Sequence, residues 1–134
     1  MASHDVSYGY TRTLPGVGYD AAVQRVTEAL KKEGFGVLTT IDVKETLKQK
    51  IGADFRRYVI LGACNPQLAH RALGTELGVG LLLPCNVTVF EGDDGKTVVQ
   101  VVKPQAMLSV IRRPELEAIA GEADQRLQRA LAAL

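Results

Sequence analysis

The sequence has almost no surplus charge, only two cysteines and no long apolar run, and each shortage excludes something. Sixteen Lys and Arg stand against 15 Asp and Glu, a net charge of +1. Sequence-independent nucleic-acid binding needs an excess of cations against phosphate, so that class of partner is not expected. The longest apolar runs, Tyr58 to Cys64 and Val79 to Cys85, fall well short of the ~18 residues a membrane span needs. The start, Met1 to Asp5, has no basic stretch followed by an apolar one, so it does not read as a secretory signal. With no export signal and two cysteines, free thiols in the cytoplasm are the expectation. Gly-x-Ser-x-Gly, His-Glu-x-x-His and Walker phosphate loops are all missing. Ser3, Ser7 and Ser109 have no His and acid beside them in the local sequence.

What is present is an ordinary globular composition, 46% apolar and 23% charged over 134 residues. This predicts one domain over 1–134, with a flexible N-terminus at 1–6. Tyr8 to Leu14 reads as a short polar strand stopped by Pro15-Gly16. Tyr19, Ala22, Val23, Val26 and Leu30 then recur at helical spacing, and Gly34 is placed to end that helix over 19–33. Phe35 to Ile41 predicts a second strand, and Asp42 a cap for a short surface helix ending at Gly52. Phe55 to Cys64 predicts a third strand, and Asn65-Pro66 the cap and first turn of another helix. Leu81 to Glu91 and Lys96 to Lys103 predict a hairpin about Gly92-Asp-Asp-Gly95. A helical turn at Pro104 to Leu108 precedes a last helix from Pro114, whose apolar stripe runs from Leu116 to Leu134. The expectation is an α+β fold: a two-layer β-α-β(4)-α arrangement, with a curved, mostly antiparallel sheet, two long helices on one face and short helical insertions.

Cys64 is the leading site candidate. It ends a strand one residue before a helix N-terminus, where amides and the helix dipole favour a thiolate. The competing reading is a small apolar residue completing the strand, with an inert thiol. Cys85 shares a strand face with Val87 and Val89, a core signature, but Pro84 favours an edge or bulge that could turn it toward Cys64. Ala63-Cys64-Asn65 and Pro84-Cys85-Asn86 echo each other. His70 follows on the Asn65-capped helix. Cys64, Cys85 and His70 together would suit a soft metal such as zinc or copper(I), although no Cys-x-x-Cys or His-x-His spacing supports that set. The alternative for His70 is a helix surface.

Gly16-Val-Gly18-Tyr-Asp-Ala21 imitates a dinucleotide fingerprint, but a polar first strand and Pro15 count against it. The basic clusters, Lys48 and Lys50 with Arg56-Arg57, and Arg112-Arg113, read as solvated faces. They would form an anion site only if both approached the Asn65 helix.

Tyr58-Val-Ile-Leu-Gly-Ala-Cys-Asn-Pro66 and Gly80-Leu-Leu-Leu-Pro-Cys-Asn-Val87 resemble the two most recognisable motifs of a prokaryotic family, domain of unknown function 302. Gly34-Phe35-Gly36 and Pro104-Gln-Ala-Met107 agree with it as well. The resemblance implies a fold like one half of a TATA-binding protein, without implying DNA binding. It places Cys64, Asn65, Pro66, Pro84, Cys85 and Asn86 in the family's motifs and carries over no catalytic residue.

Three functions remain open on this reading. The first is a small cytoplasmic module binding a small molecule or soft metal, or reacting through thiols, with Cys64, Asn65, Pro66, Cys85 and Asn86 as its site. The second is a homo-oligomeric assembly module, a dimer through an uncovered sheet face, with both cysteines structural. The third is a Cys64-dependent enzyme with His70 as its base. No cofactor is identified.

Overall fold

A computed structural model describes residues 4–134. Among the described residues five strands form one antiparallel sheet: β1 (Gly9–Leu14), β2 (Gly36–Asp42), β3 (Tyr58–Cys64), β4 (Cys85–Glu91) and β5 (Thr97–Val102), in spatial order β1-β5-β4-β3-β2. The helices are α1 (Tyr19–Lys32), α2 (Val43–Ile51), α3 (Pro66–Thr75), α4 (Pro104–Leu108) and α5 (Pro114–Ala132), with 3-10 turns at Leu77–Leu82 and Ser109–Ile111. The two-layer α+β expectation holds.

Side-chain alternation divides the sheet into two faces. Leu61 pairs with Val87 and Val87 with Val101; Val59 pairs with Val89 and Val89 with Val99. All six are buried with Ala22, Val26 and Leu30 of α1 and Leu116, Ala120 and Leu127 of α5. Each fully buried Leu contributes ~1.5–3 kcal/mol by leaving water, so this face holds the layers together. The opposite face carries Tyr58, Ile60, Thr88, Phe90 and Gln100, with the Tyr58 and Phe90 rings stacked at 5.0 Å. Residues 1–3 of the expected flexible terminus lie outside the described residues. His4 lies on this second face, its ring edge-on to Phe90 at 5.2 Å and its carbonyl accepting from Gln100 Nε2.

The helix ends follow their local chemistry. Asp42 Oδ1 accepts from the Glu45 amide to start α2, and Gly52 ends that helix at φ +66°. Gly34, at φ +84°, closes α1: its amide donates to Lys31 and the Phe35 amide to Leu30, both hallmarks of a left-handed helix stop.

Two strands start later than the apolar runs predict. β3 begins at Tyr58 rather than Phe55; just before it the Arg57 side chain makes a 2.8 Å pair with Asp20 and stacks 4.4 Å over the Tyr19 ring. β4 begins at Cys85 rather than Leu81. The glycine-interrupted run Leu77–Leu82 winds into a 3-10 turn with only Val79 buried, and Pro84 follows through a cis peptide bond. Leu77 and Leu81 are 84% and 91% exposed, which no strand core would allow.

Candidate functional site

The two Cys-Asn motifs end β3 and start β4, and the sheet register brings them side by side: Ala63 pairs with Cys85, and Gly62 with Asn86. Gly62 is needed there. A Cβ at that position would run into Thr39 Oγ1 and lie 2.9 Å from the Pro84 ring. Both side chains therefore close over β3 only because residue 62 has none.

Asn65 caps α3. Its backbone is extended and its Oδ1 accepts from the Leu68 amide at 3.1 Å, with Pro66 at the first helical position. The cap turns Leu68 and Ala72 inward. Behind them, Phe35 from the α1–β2 connection, Met107 from α4 and Ala120 from α5 complete the walls. Cys64, Asn65 and Cys85 line the resulting cavity, which has a volume of about 40 Å³. A single water needs ~10–15 Å³, whereas sites for drug-sized ligands run to ~300–1,000 Å³. The cavity thus accommodates an ion or a few small atoms.

Its electrostatics are those of an apolar slot. No side chain on its wall is a carboxylate, imidazole, hydroxyl or cation. Asn65 is 9% exposed, and among the described residues the one buried side-chain polar atom without a partner is not on this wall but is Thr88 Oγ1 on the other sheet face. The Asn65 side-chain amide is held 2.8 Å from where a Cβ on Gly34 would stand. Burial pushes the Cys64 thiol above its ordinary value. Cys85 is pushed up to about 11, first by burial and then by the charge of Cys64, so the two sulfurs are near enough to influence each other.

The thiolate expected at the helix N-terminus is therefore corrected. Burial raises the Cys64 thiol rather than lowering it, and Asn65 has already taken the Leu68 amide. Both cysteines are free, as expected.

The structure brings Cys64, Asn65 and Cys85 together and leaves the other candidates elsewhere. Asn86 is exposed on the second sheet face beside Thr88, as strand alternation requires. Pro66 is exposed at the start of α3. His70 is exposed too; with Leu68 and Ala72 inward, a residue two positions on from Leu68 points ~200° away. The Cys64-Cys85-His70 metal set is thus not assembled, and among the described residues no group of three His, Cys, Asp or Glu is placed to hold a metal. His70 is equally unplaced as a base for Cys64. The basic clusters are engaged away from Asn65, Arg56 with Asp93, Lys48 with Asp54 and Arg113 with Glu76. Met107 and Phe35 were not expected at the site, because no spacing links them to the cysteines. Only the packing of α4 and the Gly34 turn brings them there.

The fold and this cavity define a class: a two-layer α+β domain with a five-stranded antiparallel sheet and two free thiols at one end, Cys85 buried and Cys64 half-buried. Residues 10–134 match the family described as Domain of unknown function DUF302, and the chain belongs to that family. It is similar to the crystal structure of an uncharacterized conserved DUF302 protein from Bacillus stearothermophilus, with 37% identity and a TM-score of 0.87 over 96% of this chain and 98% of that one. No curated protein matches the sequence. Among the described residues no helix is long and apolar enough to cross a membrane.

Proposed function

We propose that this domain is a binding module for a small, soft ligand, with its site in the cavity at Cys64 and Cys85. The supporting observation is that two uncharged thiols, Cys64 and Cys85, line a single cavity of about 40 Å³. Its size favours an ion or a very small molecule over an ordinary metabolite. Two free thiols fit a reducing compartment, and we read the protein as cytoplasmic.

The test is a native mass spectrum of the protein as purified, beside a denatured one. A mass excess that disappears on denaturation, and is absent from Cys85→Ser, is the expected result. A native mass equal to the bare chain in every preparation, including one made in metal-rich medium, would sink the reading.

One observation favours a second reading, assembly with another copy of the chain. The two edge strands differ: on β1 the Arg12 side chain donates to the Leu131 and Ala132 carbonyls at the end of α5. The β2 edge has no strand beyond it among the described residues, and it carries Leu38 and Ile41 at 69% and 46% exposure. A free edge of this kind pairs with its own copy across a two-fold axis. Sedimentation at rising concentration should show a dimer that Leu38→Lys abolishes. A monomer at every concentration would remove this reading.

A further inference from the structure

Three sulfur atoms, not two, belong to residues on the cavity wall: Cys64 from the end of β3, Cys85 from the start of β4 and Met107 from α4. We infer that Cys64, Cys85 and Met107 form a site for a single soft monovalent cation, copper(I) by its chemistry. This deepens the reading above and rests on it.

Ligand softness selects the ion. Calcium and magnesium require oxygen ligands and several of them, and the wall offers no carboxylate or hydroxyl. Zinc is held by four ligands in structural sites and three plus water in catalytic ones, drawn from Cys, His and carboxylates. Only two residues of those types are present here, and His70 lies outside. Thiolate together with thioether is the donor set that favours copper(I). Volume agrees: about 40 Å³ suits one ion and excludes a chelated or organic form.

The charge balance fixes what the filled site must tolerate. Copper(I) replaces one proton on each thiol, so two protons leave and one positive charge enters. The neutral Met107 thioether adds none, and the filled site carries one net negative charge. A buried anion needs a donor aimed at it. Asn65 lines the same cavity and caps the N-terminus of α3 beside it. Asn65 thus acts as a positioning residue: its oxygen starts the helix that stands next to the site.

The experiment is an anaerobic titration of the reduced full-length chain with copper(I), in competition with a chromophoric copper(I) chelator, with proton release followed in weak buffer. One copper per chain and two protons released per copper are expected. Cys64→Ser and Cys85→Ser should lose the site. Met107→Leu preserves volume and should weaken binding by about tenfold or more, the loss seen when even an outer partner of a metal site is removed. Asn65→Asp keeps the helix cap but adds a negative charge beside an anionic site, and should weaken binding ~10–100-fold. His70→Ala should bind like wild type. Equal affinity in Met107→Leu would overturn the three-sulfur assignment, and it remains decisive if a serine variant fails to fold. Retained binding in Cys85→Ser would overturn the site itself. A dissociable mass excess in the native spectrum without copper(I) affinity would overturn the copper inference and leave the binding module standing; absence of both would overturn both.

Discussion

Gly34 and Gly52 both end helices in the left-handed region, at φ +84° and +66°, but their surroundings differ. A Cβ on Gly52 would meet nothing within 4 Å. A Cβ on Gly34 would stand 2.8 Å from Asn65 Nδ2, and Asn65 is buried and fixed by its bond to the Leu68 amide. Gly52→Ala should therefore cost only the backbone penalty, ~1 kcal/mol. Gly34→Ala should cost that and also displace Asn65, adding the ~1 kcal/mol of a lost N-cap. For a chain of this length the expected fall in Tm is roughly 4 °C for Gly52→Ala and roughly 8 °C for Gly34→Ala. Thermal and urea unfolding, followed by circular dichroism, would measure both. A double-mutant cycle isolates the contact. In an Asn65→Ala background Gly34→Ala should cost only its backbone part, giving a coupling of ~1 kcal/mol. Equal losses for the two glycines, with no coupling to Asn65, would refute the reasoning. It would mean that the cavity wall is not set by the α1–β2 turn.

Other consequences can be measured on the same protein. A thiol is neutral when protonated, and Cys85 holds its proton up to about 11 in the folded chain against an ordinary 9.0. Stability should be intact below pH 9 and fall between pH 9 and 11 by about 2–3 kcal/mol, a slope absent from Cys85→Ala in parallel urea unfolding. If wild type and Cys85→Ala lose stability in parallel over that range, the burial of Cys85 is misjudged. Tyr10→Phe removes a 2.8 Å hydrogen bond to the buried Asp124, whose other oxygen keeps Gln128 at 2.7 Å. A loss of ~1–2 kcal/mol is expected in urea, and no loss would show that the Gln128 bond satisfies the carboxylate alone. Leu81→Ser, at a 91% exposed position, should leave Tm within about 2 °C, since surface changes fall within ~0.5 kcal/mol. A large drop would mean that Leu77–Leu82 packs as the strand its composition suggests.

Much of the fold is legible in the sequence because its punctuation is local. Asn65-Pro66, Asp42 and Gly34 each act through bonds reaching no more than a few residues, and all three do what their chemistry predicts. The hairpin at Gly92 to Gly95 is equally local, closed by the Gly95 amide on the Gly92 carbonyl at 2.9 Å with Gly95 at φ +79°. The start of β4 is not legible, because an apolar run fits a strand, a buried helix or a 3-10 turn alike. Gly78, Gly80 and Pro84 decide it only in combination with Val79, the one fully buried residue of that turn. The juxtaposition of the cysteines was suggested by the echo of the motifs but depends on register, which spacing does not encode. The failed part of the site is instructive. His70 follows Cys64 closely in sequence, yet helical rotation carries it outward. Met107 is 43 positions from Cys64 and 22 from Cys85, and only tertiary packing brings it to the same wall.

The central claim is that Cys64 and Cys85 serve one cavity. Silver(I) is a soft d10 cation without redox chemistry, and it scatters strongly enough to be located in a crystal. Soaking crystals of the reduced protein and computing an anomalous difference map should give one peak, within bonding distance of both cysteine sulfurs and adjacent to Met107. Two separate peaks, each on a single cysteine, or a peak on Cys64 with none reaching Cys85, would contradict the account.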